Sequence, residues 1–261
     1  MAEKSWALVT GASAGIGREL ARVIAADGWK LVLVARRKAM LDELARELMK
    51  AHGTETKIIA ADLAEPGSPQ AIFNELQDAR IEVDLLVNNA GLLVQDTFGH
   101  AGLEEQLDIV RVNVVAHTAL ARLFLEPMLQ RNRGRILNMS SISAFMPVPN
   151  LAIYAATKAY VLSFSTALSE ELRRTNVTVT ALCPGVTDTG MVHGTGLAGF
   201  PSFTIADAKT VARDGYRACM AGKRTYVPGI LNKILVVSAK FARGLLMRPM
   251  GWFIAFNSPN R

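Results

Sequence analysis

The sequence predicts an α/β fold, a single doubly wound parallel sheet of about seven strands with helices on both faces. Three observations predict it. Apolar strand-like runs alternate with helical patterns through most of the 261 residues, the signature of a parallel sheet flanked by helices. The strand-like runs are short, continuous and rich in β-branched residues, as strands covered on both faces are. The first run leads into a glycine-rich turn and then a helix.

The elements follow in order. Residues 6–9 read as the first strand, and the helix after the turn runs from about Gly15 to Ala26. Leu31-Val32-Leu33-Val34 is the second strand, followed by a charged helix from Lys38 to His52. Residues 57–60 and 84–87 are the third and fourth strands, with a helix near 69–79 between them. A long helix covers roughly 103–130. Residues 136–139, 177–182 and 225–227 complete the strands, and a helix carrying Tyr154 and Lys158 follows the fifth. No repeat, low-complexity segment or linker interrupts the pattern. One domain over 1–261 is expected, with a core at 4–228, a substrate loop at 190–205 and a basic, apolar extension at 229–261.

Composition narrows the function. Half the residues are hydrophobic and a fifth are charged, enough for a large buried core. Cys183 and Cys219 form no Cys-x-x-Cys motif and no disulfide framework. The start runs straight into a strand without a basic-then-apolar leader, and no apolar stretch approaches the roughly 18 residues of a membrane span, so a cytoplasmic location is expected. The net charge is +6, yet all eight Lys and Arg residues after Asp214 stand without one acidic residue among them. The high pI is thus a property of the tail, which argues against a nucleic-acid-binding body. His52, His100, His117 and His193 show no zinc-like spacing; each reads as a surface residue, and no metal is expected.

The turn Thr10-Gly11-Ala12-Ser13-Ala14-Gly15-Ile16-Gly17 sits between a strand and a helix. Glycine permits a tight turn, and the helix N-terminus offers free N–H groups and positive potential to a pyrophosphate. The plain alternative is a turn that packs helix on strand. After the second strand, Ala35 stands where an acidic residue would bind a ribose 2′-hydroxyl, and Arg36, Arg37 and Lys38 follow. A guanidinium suits a 2′-phosphate, so NADP(H) is expected over NAD(H). The alternative, a solvated helix start, is weakened because cations are unfavourable at a helix N-terminus.

Asp62-Leu63 follows the third strand and Asn88-Asn89-Ala90-Gly91 the fourth, at the strand ends where open α/β sheets bind ligands. Ser140-Ser141 follows the fifth. Tyr154 and Lys158 are four residues apart and share a helix face. An ammonium beside a phenol favours phenolate, so Lys158 is expected to draw the Tyr154 pKa from its ordinary value of about 10 toward neutrality. That pairing suits the interconversion of a carbonyl and an alcohol. Asn113, amid Val and Ile, reads on its own as a buried amide bonded to backbone.

With Thr-Gly-x-x-x-Gly-Ile-Gly, Asn-Asn-Ala-Gly, Asn113, Ser141, Tyr-x-x-x-Lys and Cys183-Pro184-Gly185 in this order, the chain resembles the short-chain dehydrogenase/reductase family from about residue 4 to residue 228. The resemblance implies a Rossmann-like sheet and assigns roles: Tyr154 as general acid/base, Lys158 as the cation that lowers its pKa and binds ribose, Ser141 as the polariser of the carbonyl, and Asn113 as support for a water-mediated proton relay. It implies that Asp62 meets the adenine, that the Thr187 backbone holds the nicotinamide amide, and that Thr189 meets the carboxamide or the pyrophosphate. Residue reading and resemblance together place the cofactor against Gly11, Ser13, Ala14, Gly15, Ile16, Gly17, Arg36, Arg37, Asp62, Leu63, Asn89, Ala90, Gly91, Tyr154, Lys158, Pro184, Gly185, Thr187 and Thr189.

The reaction expected is hydride transfer between NADP(H) and a lipophilic ketone, aldehyde or secondary alcohol. Phe145, Met146, Val148 and Pro149 are expected to line the substrate pocket, and Gly194, Gly196 and Gly199 to let the loop near it move. Alternatives are an NAD(P)-dependent alcohol, hydroxysteroid or 3-oxoacyl enzyme of narrow range, and a non-catalytic dinucleotide sensor. The resemblance also implies a homodimer or homotetramer through the long helices. On a helical wheel Lys233, Lys240, Arg243 and Arg248 fall on one side of a segment running from Ile230 to Met247. That segment reads either as a border of the pocket or subunit interface, or as a peripheral contact with an acidic membrane.

Overall fold

The structure, a computed structural model, describes residues 5–192, 195 and 201–241. Seven parallel strands form one sheet in the order β3-β2-β1-β4-β5-β6-β7. They are β1 (Trp6–Thr10), β2 (Lys30–Ala35), β3 (Thr56–Ala60), β4 (Val83–Asn88), β5 (Gly134–Met139), β6 (Val177–Leu182) and β7 (Thr225–Tyr226). The order reverses between β1 and β4, and a crevice opens at the carboxyl ends of the strands there.

The two-residue period of the strands splits their apolar side chains between two faces. Ala7, Val9, Leu31, Leu33, Leu85 and Val87 pack beneath α1 (Gly15–Ala26), α2 (Lys38–His52) and α7 (Ala208–Met220). Leu8, Val32, Val34, Leu86 and Ile136 pack beneath α3 (Ser68–Asp78), the long helix from Leu103 to Gln130, and α6 (Ala152–Glu171). Helix α7 is absent from the reading of the sequence. Its start is marked by Asp207, whose carboxylate accepts from the Thr210 N–H at 2.9 Å, a cap followed by a strongly amphipathic run.

The long helix is not uniform. It is α4 (Leu103–Val110), a π-helical stretch over Arg111–Ala116, and α5 (His117–Gln130). The widened turn carries Asn113. Such bulges recur at functional sites.

Helix α8 (Ile230–Phe241) closes the far end of the crevice. It packs on a small apolar cluster of Met146, Val148, Leu151 and Ala155, which Ala239 and Leu235 cap.

Candidate active site

A cavity of about 730 Å³ lies along the carboxyl ends of the strands. It is bounded by the turn after β1, the two arginines after β2, Asp62 and Leu63 after β3, residues 89–91 after β4, Ser141 after β5 and residues 184–189 after β6. Every residue expected to meet the cofactor lines it. Asn113 does not; it stands behind the wall.

At the nucleotide end, part of the glycine motif is demanded by the protein itself. A Cβ on Gly17 would lie 2.3 Å from the Gly11 carbonyl oxygen and 2.4 Å from Asn89 Nδ2. Asn89 donates to the Thr10 carbonyl at 2.9 Å, and the Thr10 hydroxyl accepts from the N–H groups of Asn89 and Ala90, each at 3.0 Å. The Asn-Asn-Ala-Gly turn is thus a staple between β1 and β4 as well as a cavity wall. The helix-packing account of Gly17 is correct, and the ligand account falls to the open positions. Helix α1 starts without a side-chain cap and without an acidic residue in its first turn, so its free N–H groups suit a pyrophosphate. A Cβ on Gly15 would stand 3.1 Å from Thr189 Cγ2. Thr189 thus stands beside the glycine turn that opens α1.

Arg36 is exposed and its guanidinium stands 3.6 Å from the Asp62 carboxylate. Arg37 donates to Ser13 Oγ at 3.3 Å. Asp62 also accepts from the Ala64 N–H at 3.0 Å. Two guanidinium groups thus converge on one end of the cavity with only one carboxylate between them, a donor set that fits a phosphomonoester.

At the chemical end, Lys158 is 3% exposed and donates to the Met139 carbonyl at 2.9 Å. Its Nζ lies 5.6 Å from the centre of the Tyr154 ring. Tyr154 and Ser141 line the cavity together, with the Ser141 hydroxyl placed to favour the phenolate. Ser141 also accepts from the Ser143 N–H at 3.1 Å, and Ser140 donates to the Lys158 carbonyl at 2.8 Å. These bonds fix α6 against the end of β5.

The expected direction of the Tyr154 shift is corrected here. Burial pushes the phenol up to about 12, against the opposing effect of the Ser141 hydroxyl. The same burial pushes Lys158 down to about 8. Desolvation of the charged form is the largest cause for each, and the ammonium is turned to Met139. Tyr154 is a protonated acid near neutrality, and Lys158 a cation that is easily discharged.

Asn113 is fully buried and makes a two-way bond with the Leu92 backbone, accepting at 2.9 Å and donating at 3.0 Å. It also donates to Thr157 at 3.1 Å. Read without the family, it was a buried amide bonded to backbone, and its geometry is that. It ties the π-helical stretch to the strand end and to α6 at once.

His117 corrects another expectation. It is 3% exposed rather than on the surface, and its Nε2 has no hydrogen-bond partner. Burial first, then the charge of Lys158, hold it near 3, against a hydrogen bond with Asn138. His52 and His100 are exposed as expected. His193 lies outside the described residues.

The other end of the cavity is apolar. Met146 and Val148 line it; Phe145 and Pro149 do not. The backbone is extended at Met146, so successive side chains alternate and only every second one faces in. Leu92, Leu93, Leu151 and Leu235 complete this end and were not anticipated, while Val192, which also lines it, falls in the expected substrate loop. Among the described residues there, none is charged. Leu235 alone had a sequence signal, its place among the apolar positions of α8. Gly194, Gly196 and Gly199 of the expected moving loop lie outside the described residues, as do Arg243 and Arg248 of the tail.

The chain matches the short chain dehydrogenase family over residues 5–197. It is 38% identical over 179 residues to a very-long-chain 3-oxoacyl-CoA reductase of Laccaria bicolor, a match covering 67% of this chain and 52% of that protein. The chain therefore spans about half the length of that curated relative. Among solved structures it is similar to a short-chain dehydrogenase from Sphingobium yanoikuyae in complex with NADPH, at 31% identity and a TM-score of 0.80, covering 93% of this chain and 94% of that one. It is also similar to the bulky-bulky ketone specific alcohol dehydrogenase from Comamonas testosteroni, at 28% identity and a TM-score of 0.79, covering 93% of each.

Proposed function

The chain belongs to the short-chain dehydrogenase family, and on that premise we propose that it transfers a hydride between NADP(H) and a lipophilic ketone, aldehyde or secondary alcohol. One observation carries the reading. Ser141, Tyr154 and Lys158 stand together in the wall of a single cavity that runs from a paired-arginine end to an apolar end.

The residues present fit the cofactor. The uncapped start of α1 would receive the pyrophosphate, Arg36 and Arg37 the 2′-phosphate, Lys158 the ribose, and the backbone near Thr187 the carboxamide. When bound, NADPH supplies the hydride. The chain's own residues handle the oxygen and the proton. Ser141 and Tyr154 donate hydrogen bonds to the carbonyl oxygen as negative charge develops on it. Tyr154 then delivers its proton. Lys158 stabilises the resulting phenolate, and Asn113 holds the backbone at Leu92 beside it. Leu92, Leu93, Met146, Val148, Leu151 and Leu235 exclude water from the apolar end and suit a lipophilic group there.

A narrower alcohol, hydroxysteroid or 3-oxoacyl specificity uses the same machinery and differs only in what the apolar end accepts; the reductase of Laccaria bicolor supports it. A dinucleotide sensor would have no need for Asn113, Ser141, Tyr154 and Lys158 all together. The unit comprises a core at 4–228, a substrate loop at 190–205 and an extension at 229–261. A homodimer or homotetramer is supported by the exposed Leu107, Val115 and Tyr160 on the long helix and α6. A cytoplasmic location and a peripheral membrane contact through the basic tail belong to the same proposal; no described helix is long and apolar enough to cross a membrane. The test is a panel of ketones and aldehydes assayed by NADPH oxidation, with NADH beside it. Turnover of none with either cofactor sinks the reading.

A further inference from the structure

The membrane contact has a definite address on α8. The inner face of this helix closes the cavity: Leu235 lines it, and Val236 and Ala239 are 7% and 0% exposed. Its outer face is apolar too. Ile230, Ile234 and Val237 are 75%, 57% and 55% exposed, and Leu231 beside them is 55% exposed. Spacings of four and three residues put the first three on one stripe. A single exposed aliphatic residue is ordinary, whereas four contiguous ones on a helix mark a contact surface.

From residue 215 to residue 241 every charged residue is Lys or Arg. Lys233 precedes Ile234 and is exposed, with its Nζ 5.9 Å from the Tyr226 ring; Lys223 Nζ stands 5.3 Å from the same ring. Arg224 is paired with Glu170 at 2.8 Å. No acidic residue follows Asp214 in the sequence. A second copy of the chain seated on this stripe would bring the same cations against these. The chain's own residues 242–261 add Arg243, Arg248 and Arg261 and no acid. An anionic bilayer offers an apolar layer for the stripe and negative charge for its edge.

We propose that α8 docks the chain on an anionic lipid surface, with Ile230, Leu231, Ile234 and Val237 in the acyl boundary and Lys223 and Lys233 among the headgroups. Docking rests on the residues of α8 alone. Its consequence rests on the hydride-transfer reading: the apolar end of the cavity, through Leu235, then stands beside the medium in which a lipophilic carbonyl dissolves.

Co-sedimentation of the full chain with vesicles tests the docking without reference to activity. The probes are vesicles of phosphatidylcholine with phosphatidylserine, beside vesicles of phosphatidylcholine alone. The protein is expected to pellet with the anionic vesicles and to be released by salt. The variant Lys223→Ser with Lys233→Ser partitions roughly fivefold more weakly per lysine. The variant Ile230→Ser with Ile234→Ser and Val237→Ser partitions roughly tenfold more weakly or worse, with an unchanged unfolding midpoint. Failure of the parent protein to pellet with anionic vesicles at low salt overturns the proposal. So does a stripe variant that pellets like the parent, or one that breaks a solution oligomer and leaves vesicle binding intact, which assigns the face to a subunit contact. Ketone turnover on the same preparations reports separately on the hydride reading.

Discussion

The ammonium of Lys158 is bonded to the carbonyl oxygen of Met139 at 2.9 Å, at the carboxyl end of β5. The bond holds the charge inside the wall, while burial sets how firmly its proton is kept. In the free protein Lys158 is charged below about pH 8 and neutral above it.

The value of kcat/KM for NADPH, which reports groups of the free protein, is therefore expected to be level near neutrality. Above about pH 8 it should fall about tenfold per pH unit, as the buried Lys158 cation, proposed to hold the ribose, discharges. Tyr154, held up near 12, contributes nothing in that window. A profile that stays level until the ordinary lysine range is reached contradicts the assignment.

Replacing Tyr154 by Phe removes the proton and leaves the ring. Turnover of an accepted ketone should drop by roughly 10²–10⁴. The dissociation constant of NADPH, read by fluorescence titration, should change little. Near-parent turnover would remove Tyr154 from the chemistry.

Arg36 offers a charge-assisted contact at an exposed position. Arg36→Ala should raise the KM for NADPH by about tenfold or more and leave that for NADH nearly unchanged. Equal effects on both cofactors would mean that Arg36 serves the fold or the adenine instead of a 2′-phosphate.

His117 should make the protein acid-labile. Its folded pKa is about 3 against an ordinary 6.5. Between those values the unfolded chain binds the extra proton and the folded one does not, so stability falls as pH falls through that window. The slope from this group approaches about 1.4 kcal/mol per pH unit. Urea unfolding of His117→Gln across the same range should show a shallower loss; an identical slope would clear His117.

Gly17→Ala separates structure from binding. Its Cβ has no room against Gly11 and Asn89, so a loss of about 1–3 kcal/mol or more is expected in urea unfolding without any cofactor present. A variant of unchanged stability that binds NADPH poorly would give the glycine to the ligand alone.

What was legible in the sequence was local. Alternation of strand and helix patterns yielded the sheet and its order of elements, and the bounds of α2 and β6 match residue for residue. The i, i+4 spacing placed Tyr154 and Lys158 on one face, and the strand-end motifs named the residues that line the cavity. Local signals also have limits. A two-residue period hides from a reader who does not know where the chain is extended, which is why Phe145 and Pro149 were included with Met146 and Val148. The capped start of α7 was there to be read and was passed over.

By itself, the sequence determined the fold class, the chemical pair and the glycine turn, because each depends on residues that are neighbours along the chain. Tertiary structure decided the rest. It set the directions of the Tyr154, Lys158 and His117 shifts, since desolvation is the sum of everything packed around a group. It gave Asn113 its partners at Leu92 and Thr157, and it built the apolar end of the cavity from Leu92, Met146, Leu151 and Leu235. Those residues are far apart in the chain, and only the closed sheet, with α8 laid across it, brings them within reach of one another.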